Sequence, residues 1–193
     1  MEKNTAAWAR EIARDLLETQ LPRRWAHTQG VARQARTLAP ILGDNADLLE
    51  AAAWLHDIGY SPIIAKTGFH PLDGARHLRD AHQADEMLLR LVANHSCAVI
   101  EADKRGLAEV LAYEFPSAGE TLGAALTYCD MTTSPDGREV GIEERLAEIR
   151  GRYGAGHLVT SFIDQAEPCL AESVLMVQYM AAGGVHLAMG RGQ

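Results

Sequence analysis

One pattern limits this chain more than any other. Apolar residues recur with a helical period almost from end to end, and no stretch alternates in the way a half-buried strand does. Trp8, Ile12, Leu16 and Leu17 form one stripe over residues 5–19, ended by "QLP". Pro22 suits the first turn of a second helix that runs to about residue 42, with His27, Val31, Ala35, Leu38 and Leu42 on a common face. "GDN" breaks it, and residues 46–58 follow as a helix closed by Gly59. "YSPIIAKTGFHP" reads as a loop, after which Pro71 opens a short helix to about residue 81. Further helices are expected over 84–96, 105–114, 119–131, 139–152 and 158–182, with "TTSPDG" as a turn. The expected class is all-α, one compact domain spanning residues 1–193.

Against that period, a few residues are out of place. His27 lies four residues before Val31, His95 four after Leu91, and Asp130 four after Leu126. His56 repeats the anomaly, four after Ala52 and eight after Leu48. A carboxylate on a buried face costs several kcal/mol unless it is paired or bound to a cation. One buried histidine is more often a hydrogen-bonded core residue than a ligand. Four such anomalies on separate helices favour a shared centre. His70 precedes Pro71, so its backbone should be extended, at the N-cap of the next helix. His56 and Asp57 are adjacent, and mid-helix neighbours diverge by about 100°. At a last turn before Gly59 the backbone unwinds and both can face one site.

The ordered set His27, His56–Asp57, His70, His95 and Asp130 resembles the HD-domain superfamily of metal-dependent phosphohydrolases. The strings "RRWAHTQGVARQA", "AAAWLHDIGY", "FHPLDGARHL", "LVANHSC" and "ALTYCDM" carry the resemblance, which covers roughly residues 20–135. It implies a helical fold around a divalent metal centre. His27, His56, Asp57 and Asp130 would hold a first ion. His70 and His95 would accompany a second, with Asp57 bridging and central to catalysis. Iron, manganese, zinc, nickel or cobalt would suit such ligands. The pattern is similar to bacterial HD hydrolases that cleave diadenosine tetraphosphate. It resembles the HD-GYP cyclic-di-GMP phosphodiesterases in part, but the GYP string is absent and Ser96 stands where that group has a second histidine. Many relatives carry lysine soon after HD, where this chain has Tyr60.

The implied activity is hydrolysis of a phosphoester or phosphoanhydride in a small, nucleotide-like substrate. The alternatives are a mixed-valent di-iron oxygenase, which uses the same ligand order, and a non-catalytic metal-binding signalling module. Lys66, in the loop between Asp57 and His70, is the best single candidate for a phosphate contact; Arg24, Ser96, Thr132 and Thr133 rank behind it. His77 and His82 are expected to be exposed near a helix end, His157 to start a helix, and His186 to lie in the C-terminal tail. The run "IEERLAEIRGR" reads as a solvated helix face. No GxSxG or Walker loop is present, and "GAGH" lacks the strand and spacing of a dinucleotide loop.

The formal net charge of -8 argues against a broad surface for DNA or RNA. The most apolar stretch, "LAESVLMVQYMAAGG", carries Glu172 and Gln178 and is too interrupted for a membrane span. The N-terminus is charged where a signal peptide would be apolar. Cys97, Cys129 and Cys169 are odd in number and far apart, so free thiols in a reducing cytoplasm are expected. The residues after 135 carry no motif assignable to the superfamily.

Overall fold

A computed structural model describes residues 3–183; His186 lies outside them. The described chain is helical throughout, with one isolated antiparallel bridge between Thr133 and Glu139. In chain order the α-helices are α1 (Ala6–Leu17), α2 (Pro22–Thr37), α3 (Ala39–Leu42), α4 (Ala46–Leu55), α5 (His70–His77), α6 (Glu86–Asn94), α7 (Ala98–Lys104), α8 (Ala108–Glu114), α9 (Glu120–Met131), α10 (Ile142–Tyr153) and α11 (Leu158–Ala181). The expected all-α class holds.

α4 is the centre of the fold. Leu49, Ala51, Ala52, Ala53, Trp54 and Leu55 are all buried, so the helix is apolar nearly all round, as a helix enclosed by others must be. α1 and α2 pack on it, and α9 packs against α2, α4 and α11. The alanines set how close these helices come. On α1 the fully covered line is Ala9, Ala13 and Leu17, while Trp8 and Ile12 are only partly covered. Small side chains face α4, and the large ones flank the seam. A second apolar cluster joins the end of α9 to α10 and α11 through Met131, Leu146, Ile149, Phe162, Ile163 and Leu170.

Several boundaries differ from the sequence expectation. The second helix stops at Thr37 and restarts as α3, with Pro40 in the first turn of the new segment. The helix expected over 84–96 ends at Asn94, and α7 follows where none was expected. Between them Ser96 and Cys97 both adopt left-handed backbone, with φ of 50° and 56°. For non-glycine residues this conformation costs roughly 1–2 kcal/mol each. His77 and His82 are half-buried rather than exposed, because a turn of π-helix over Leu78–His82 folds them together and sets His82 edge-on to Trp8 at 5.8 Å. Burial pushes both below the usual histidine range. His157 does cap α11, its Nδ1 accepting from the Val159 N–H at 3.1 Å.

The expectation of free thiols fails. Cys97 and Cys169 form a disulfide that ties the turn after α6 to α11, and only Cys129 among the described residues is free and buried. An odd count excludes neither one pair nor one leftover thiol. No helix among the described residues is long and apolar enough to cross a membrane.

Candidate metal centre

Six side chains from five places in the fold converge. His27 comes from the first half of α2, His56 and Asp57 from the end of α4, His70 from the start of α5, His95 from the end of α6, and Asp130 from the last turn of α9. α4 ends at Leu55, and Asp57 has φ near -104° and ψ near 3°. This unwinding brings His56 and Asp57 to the same side, as the dipeptide's position at a helix end requires. Ligand atoms of His27, His56 and Asp130 lie within 4.8 Å of one another, and so do those of Asp57, His70 and His95.

Asp57 stands between the two groups. Its Oδ2 is 3.4 Å from His56 Nε2 and 3.9 Å from His27 Nε2, and its Oδ1 is 3.4 Å from His70 Nε2. His27 Nε2 is 3.0 Å from Asp130 Oδ1, and His70 Nε2 is 3.1 Å from His95 Nε2.

The hydrogen bonds on the far side of each ring decide what these contacts are. His27 Nδ1 faces the Ser134 carbonyl at 3.0 Å, His56 Nδ1 the Ala53 carbonyl at 2.8 Å, and His95 Nδ1 the Val92 carbonyl at 2.7 Å. A carbonyl oxygen can only accept, so each Nδ1 carries the hydrogen and donates. In the neutral imidazole each Nε2 is then a bare lone pair aimed inward. His56 Nε2 is buried and makes no well-formed hydrogen bond, the Asp57 carboxylate standing 3.4 Å away. Lone pairs therefore face carboxylates and one another across the centre, which is unfavourable unless a cation sits among them. Nitrogen and carboxylate donors in this mixture fit a divalent transition metal.

The electrostatics agree. Burial alone would raise the Asp57 carboxyl, but Arg24, His56 and His70 outweigh it and hold it well below the usual carboxylate range. At Asp130 the carboxyl is likewise held low against burial, the Arg145 guanidinium contributing positive charge, and it also stays ionised. Burial pushes His27, His70 and His95 below the ordinary histidine range, so they are neutral donors at neutral pH. At His56 the Asp57 carboxylate overrides burial and raises the pKa. Arg24 and Arg145 answer part of the negative charge of these two carboxylates, and a metal ion or a proton on His56 would answer the rest.

Close backbone contact holds the geometry. A Cβ on Gly59 would lie 2.0 Å from the His70 carbonyl oxygen, so the turn carrying Asp57 rests directly on α5. Ser96 donates from Oγ to Asp130 Oδ2 at 2.5 Å, and its backbone N–H donates to Thr127 Oγ1 at 3.2 Å. Tyr60 stacks on His70 with ring centroids 3.9 Å apart, and the Arg24 guanidinium lies 3.6 Å above the Tyr60 ring while pairing with Asp57. In this chain the residue after "HDIG" therefore packs a metal-ligand candidate and an arginine, whereas a lysine there would present only a charge.

Of the candidate substrate contacts, Arg24 and Ser96 line the cavity over the centre. Thr132 and Thr133 spend their hydroxyls on the carbonyls of Tyr128 and Cys129, each at 2.7 Å. Lys66 is exposed, and its charge acts on His77 and Asp80; it is not among the cavity-lining residues. Its loop is drawn away because the Lys66 and Thr67 amides donate to Asp73, both at 2.9 Å.

Sequence reading placed the helix that is α10 but missed its part in the site. "IEERLAEIRGR" is not a fully solvated face: Arg145 is only 7% exposed, and Arg145, Ile149, Arg152 and Tyr153 line the cavity. Arg145 Nη2 is 3.8 Å from Asp130 Oδ1, its Nη1 donates to Glu148 at 2.7 Å, and its Nε is buried without a partner. The signal available in the sequence was Arg145 preceding Leu146 and sitting four before Ile149, on the inner side of the helix.

An all-α bundle whose helix ends present an inward histidine–aspartate cluster defines a class of metal-dependent proteins. The HD domain profile matches residues 24–145, nearly two thirds of the chain, and the chain belongs to the HD domain family. That family is of the metal-dependent phosphohydrolase type and binds divalent metals. Comparison with curated proteins and with solved structures gives no significant match.

Proposed function

We propose that the protein is a metal-dependent phosphohydrolase acting on a small phosphorylated substrate, with His27, His56, Asp57 and Asp130 holding one ion and His70 and His95 joining Asp57 around a second. The observation that carries the reading is the convergence of two histidine–aspartate groups on one centre, with His56 Nε2 buried there without a well-formed hydrogen bond beside ionised carboxylates. Divalent ions so held would lower the pKa of a water and neutralise charge on a transferring phosphoryl group.

The chain's own residues supply the rest. Asp57 has one oxygen toward each histidine group, which suits it to bridging. The carbonyls of Ser134, Ala53 and Val92 fix three imidazoles in the ligating tautomer. Arg24 and Arg145 flank the centre and offer guanidinium donors to phosphate oxygens, Arg145 through an Nε that has no other partner. A purely scaffolding site would gain nothing from a buried free donor beside the ligands. The same ligands could serve oxygen chemistry, and the test separates the two.

The test is metal analysis of the purified protein followed by assays with manganese under anaerobic conditions. Bound metal, loss of that metal in His56→Ala, and phosphate release without oxygen are expected. Metal retained in full by both His56→Ala and Asp57→Ala would sink the ligand assignment. Turnover that requires iron and consumes oxygen would replace hydrolysis by oxygenation.

A further inference from the structure

In a chain of net charge -8, positive charge is concentrated beside the metal centre. A cleft of about 310 Å³ opens there at the start of α2, and Arg23, Arg24, Arg145 and Arg152 all line it. Among the described residues no acidic side chain lines this cleft. Another cavity, at the start of α10, has Glu139, Glu143 and Glu144 in its wall instead. Arg24, Arg145 and Arg152 also line the cavity over the centre, whereas Gln20, Leu21, Pro22 and Arg23 line the cleft alone. The carboxylates that pair with these arginines are not part of the lining. Asp57 pairs with Arg24, and Asp136 with Arg23 at 3.0 Å. Glu148 is shared by Arg145 at 2.7 Å and Arg152 at 2.5 Å, and Asp130 stands 3.8 Å from Arg145. The face turned to the cleft is therefore cationic.

The start of α2 adds donors of its own. Leu21 at the N-cap makes no side-chain hydrogen bond, and the first turn holds no acidic residue. Pro22 has no N–H to give. The helix's own bonds begin with the Trp25 N–H on the Leu21 carbonyl at 2.9 Å, which leaves the amides of Arg23 and Arg24 to other acceptors. A helix N-terminus favours negative charge, yet two arginines occupy this first turn. Their placement is unfavourable in the free protein and becomes favourable when an anion sits among them. A second observation, on another helix, points the same way. Arg145 of α10 lines the cleft, is nine-tenths buried, and has an Nε without a hydrogen-bond partner. A buried unpaired donor carries a desolvation cost that an anion removes.

We propose that the cleft at the start of α2 is a binding site for a phosphate-class dianion, separate from the metal centre, formed by the Arg23 and Arg24 amides and the guanidinium groups of Arg23, Arg145 and Arg152. Two sources share this chemistry. The anion is a second phosphate on a substrate whose first phosphate lies at the metals, or it is free inorganic phosphate. His27, a ligand candidate, also lines the cleft, so the two sites adjoin and one molecule can reach both. The site does not rest on the hydrolase reading, because none of its donors needs a metal.

Isothermal titration of the full-length, metal-loaded protein with inorganic phosphate counts the sites. Two phosphates per chain are expected, one at the metals and one in the cleft. Gln20→Glu sets a negative charge on the cleft wall from an exposed position, where the fold tolerates it. It should weaken one of the two sites at least about tenfold and leave the metal content unchanged. Arg23→Gln, also at an exposed position, should weaken the same site about two- to fivefold. Trimethylene bisphosphonate and methylphosphonate separate the two sources. A tethered second phosphate gives at least about tenfold tighter binding of the bisphosphonate, an advantage that Gln20→Glu removes. A free phosphate gives two independent sites and no advantage to the tether. Phosphate binding that neither variant alters, at any stoichiometry, overturns the proposal. A single phosphate per chain that both variants weaken leaves the cleft standing and counts against phosphate at the metals, and so against the hydrolase reading.

Discussion

Reducing the Cys97–Cys169 disulfide should weaken the fold by a large and calculable amount. The bond closes a loop of 72 residues that includes α7 to α10 and part of α11. In the chain-entropy treatment, closing a loop of that length in the unfolded state is worth about 4 kcal/mol at 25 °C. For a chain of this size each kcal/mol moves Tm by roughly 2–4 °C, so full reduction should lower Tm by about 8–16 °C. The effect has a local component too. The bond anchors Cys97, whose left-handed backbone follows the equally left-handed Ser96, and Ser96 holds Asp130. Released, this turn can relax and loosen both Asp130 and His95. The assay is differential scanning fluorimetry with and without dithiothreitol, with Cys169→Ser as the chemical counterpart. Thiol titration should find one slowly reacting group in the oxidised native protein, Cys129, whose burial pushes its pKa up. A Tm change below about 2 °C on complete reduction, or three titratable thiols before it, would refute the reasoning.

Arg145→Gln should lower kcat/KM by about 10–100-fold, the equivalent of one hydrogen bond to a charged group, while metal content is retained; steady-state kinetics beside metal analysis checks this, and loss of the metal instead would make Arg145 a support for Asp130. Glu114 accepts from both Arg76 and Arg79, and these hydrogen bonds bring its carboxyl down to about 2. A depressed folded-state pKa gives stability that is present above the unfolded value near 4.5 and is lost as pH falls toward 2. Partial exposure limits this contribution to about 1 kcal/mol, so urea midpoints of Glu114→Gln should fall less steeply than wild type between those pH values. Dialysis against a chelator should lower Tm, and manganese should restore it, since a ligand held at 100 times its Kd adds about 2.7 kcal/mol; an unchanged melting curve would count against a metal that supports the fold.

What the sequence disclosed, it disclosed through contrast. His27, His95 and Asp130 stood out because helical spacing demanded apolar residues there, and the structure brings all three to the centre with His56, Asp57 and His70. That contrast vanishes for Arg145. An arginine in a charged run looks solvated, since its long stem lets it sit at almost any depth. The disulfide was hidden for another reason: its halves are 72 residues apart, and nothing local marks a pair that only tertiary packing of α11 brings together. α7 was obscured because the two left-handed residues before it interrupt the period. Lys66 was misplaced because position in a loop does not tell which way Asp73 will pull that loop.

Gly59 gives the centre an unusual ruler. The turn bearing Asp57 and the start of α5 bearing His70 meet through main-chain atoms, with no side chain interposed. Side-chain spacers can be lengthened or shortened by one methylene at a time, so most inter-element distances drift easily under mutation. A gap set by bare peptide against bare peptide has no smaller setting, and its next larger one is a whole methyl group. The reach between the two histidine groups is thus quantised by the fold, and substitution elsewhere can retune the cavity around the metals far more readily than the distance across them.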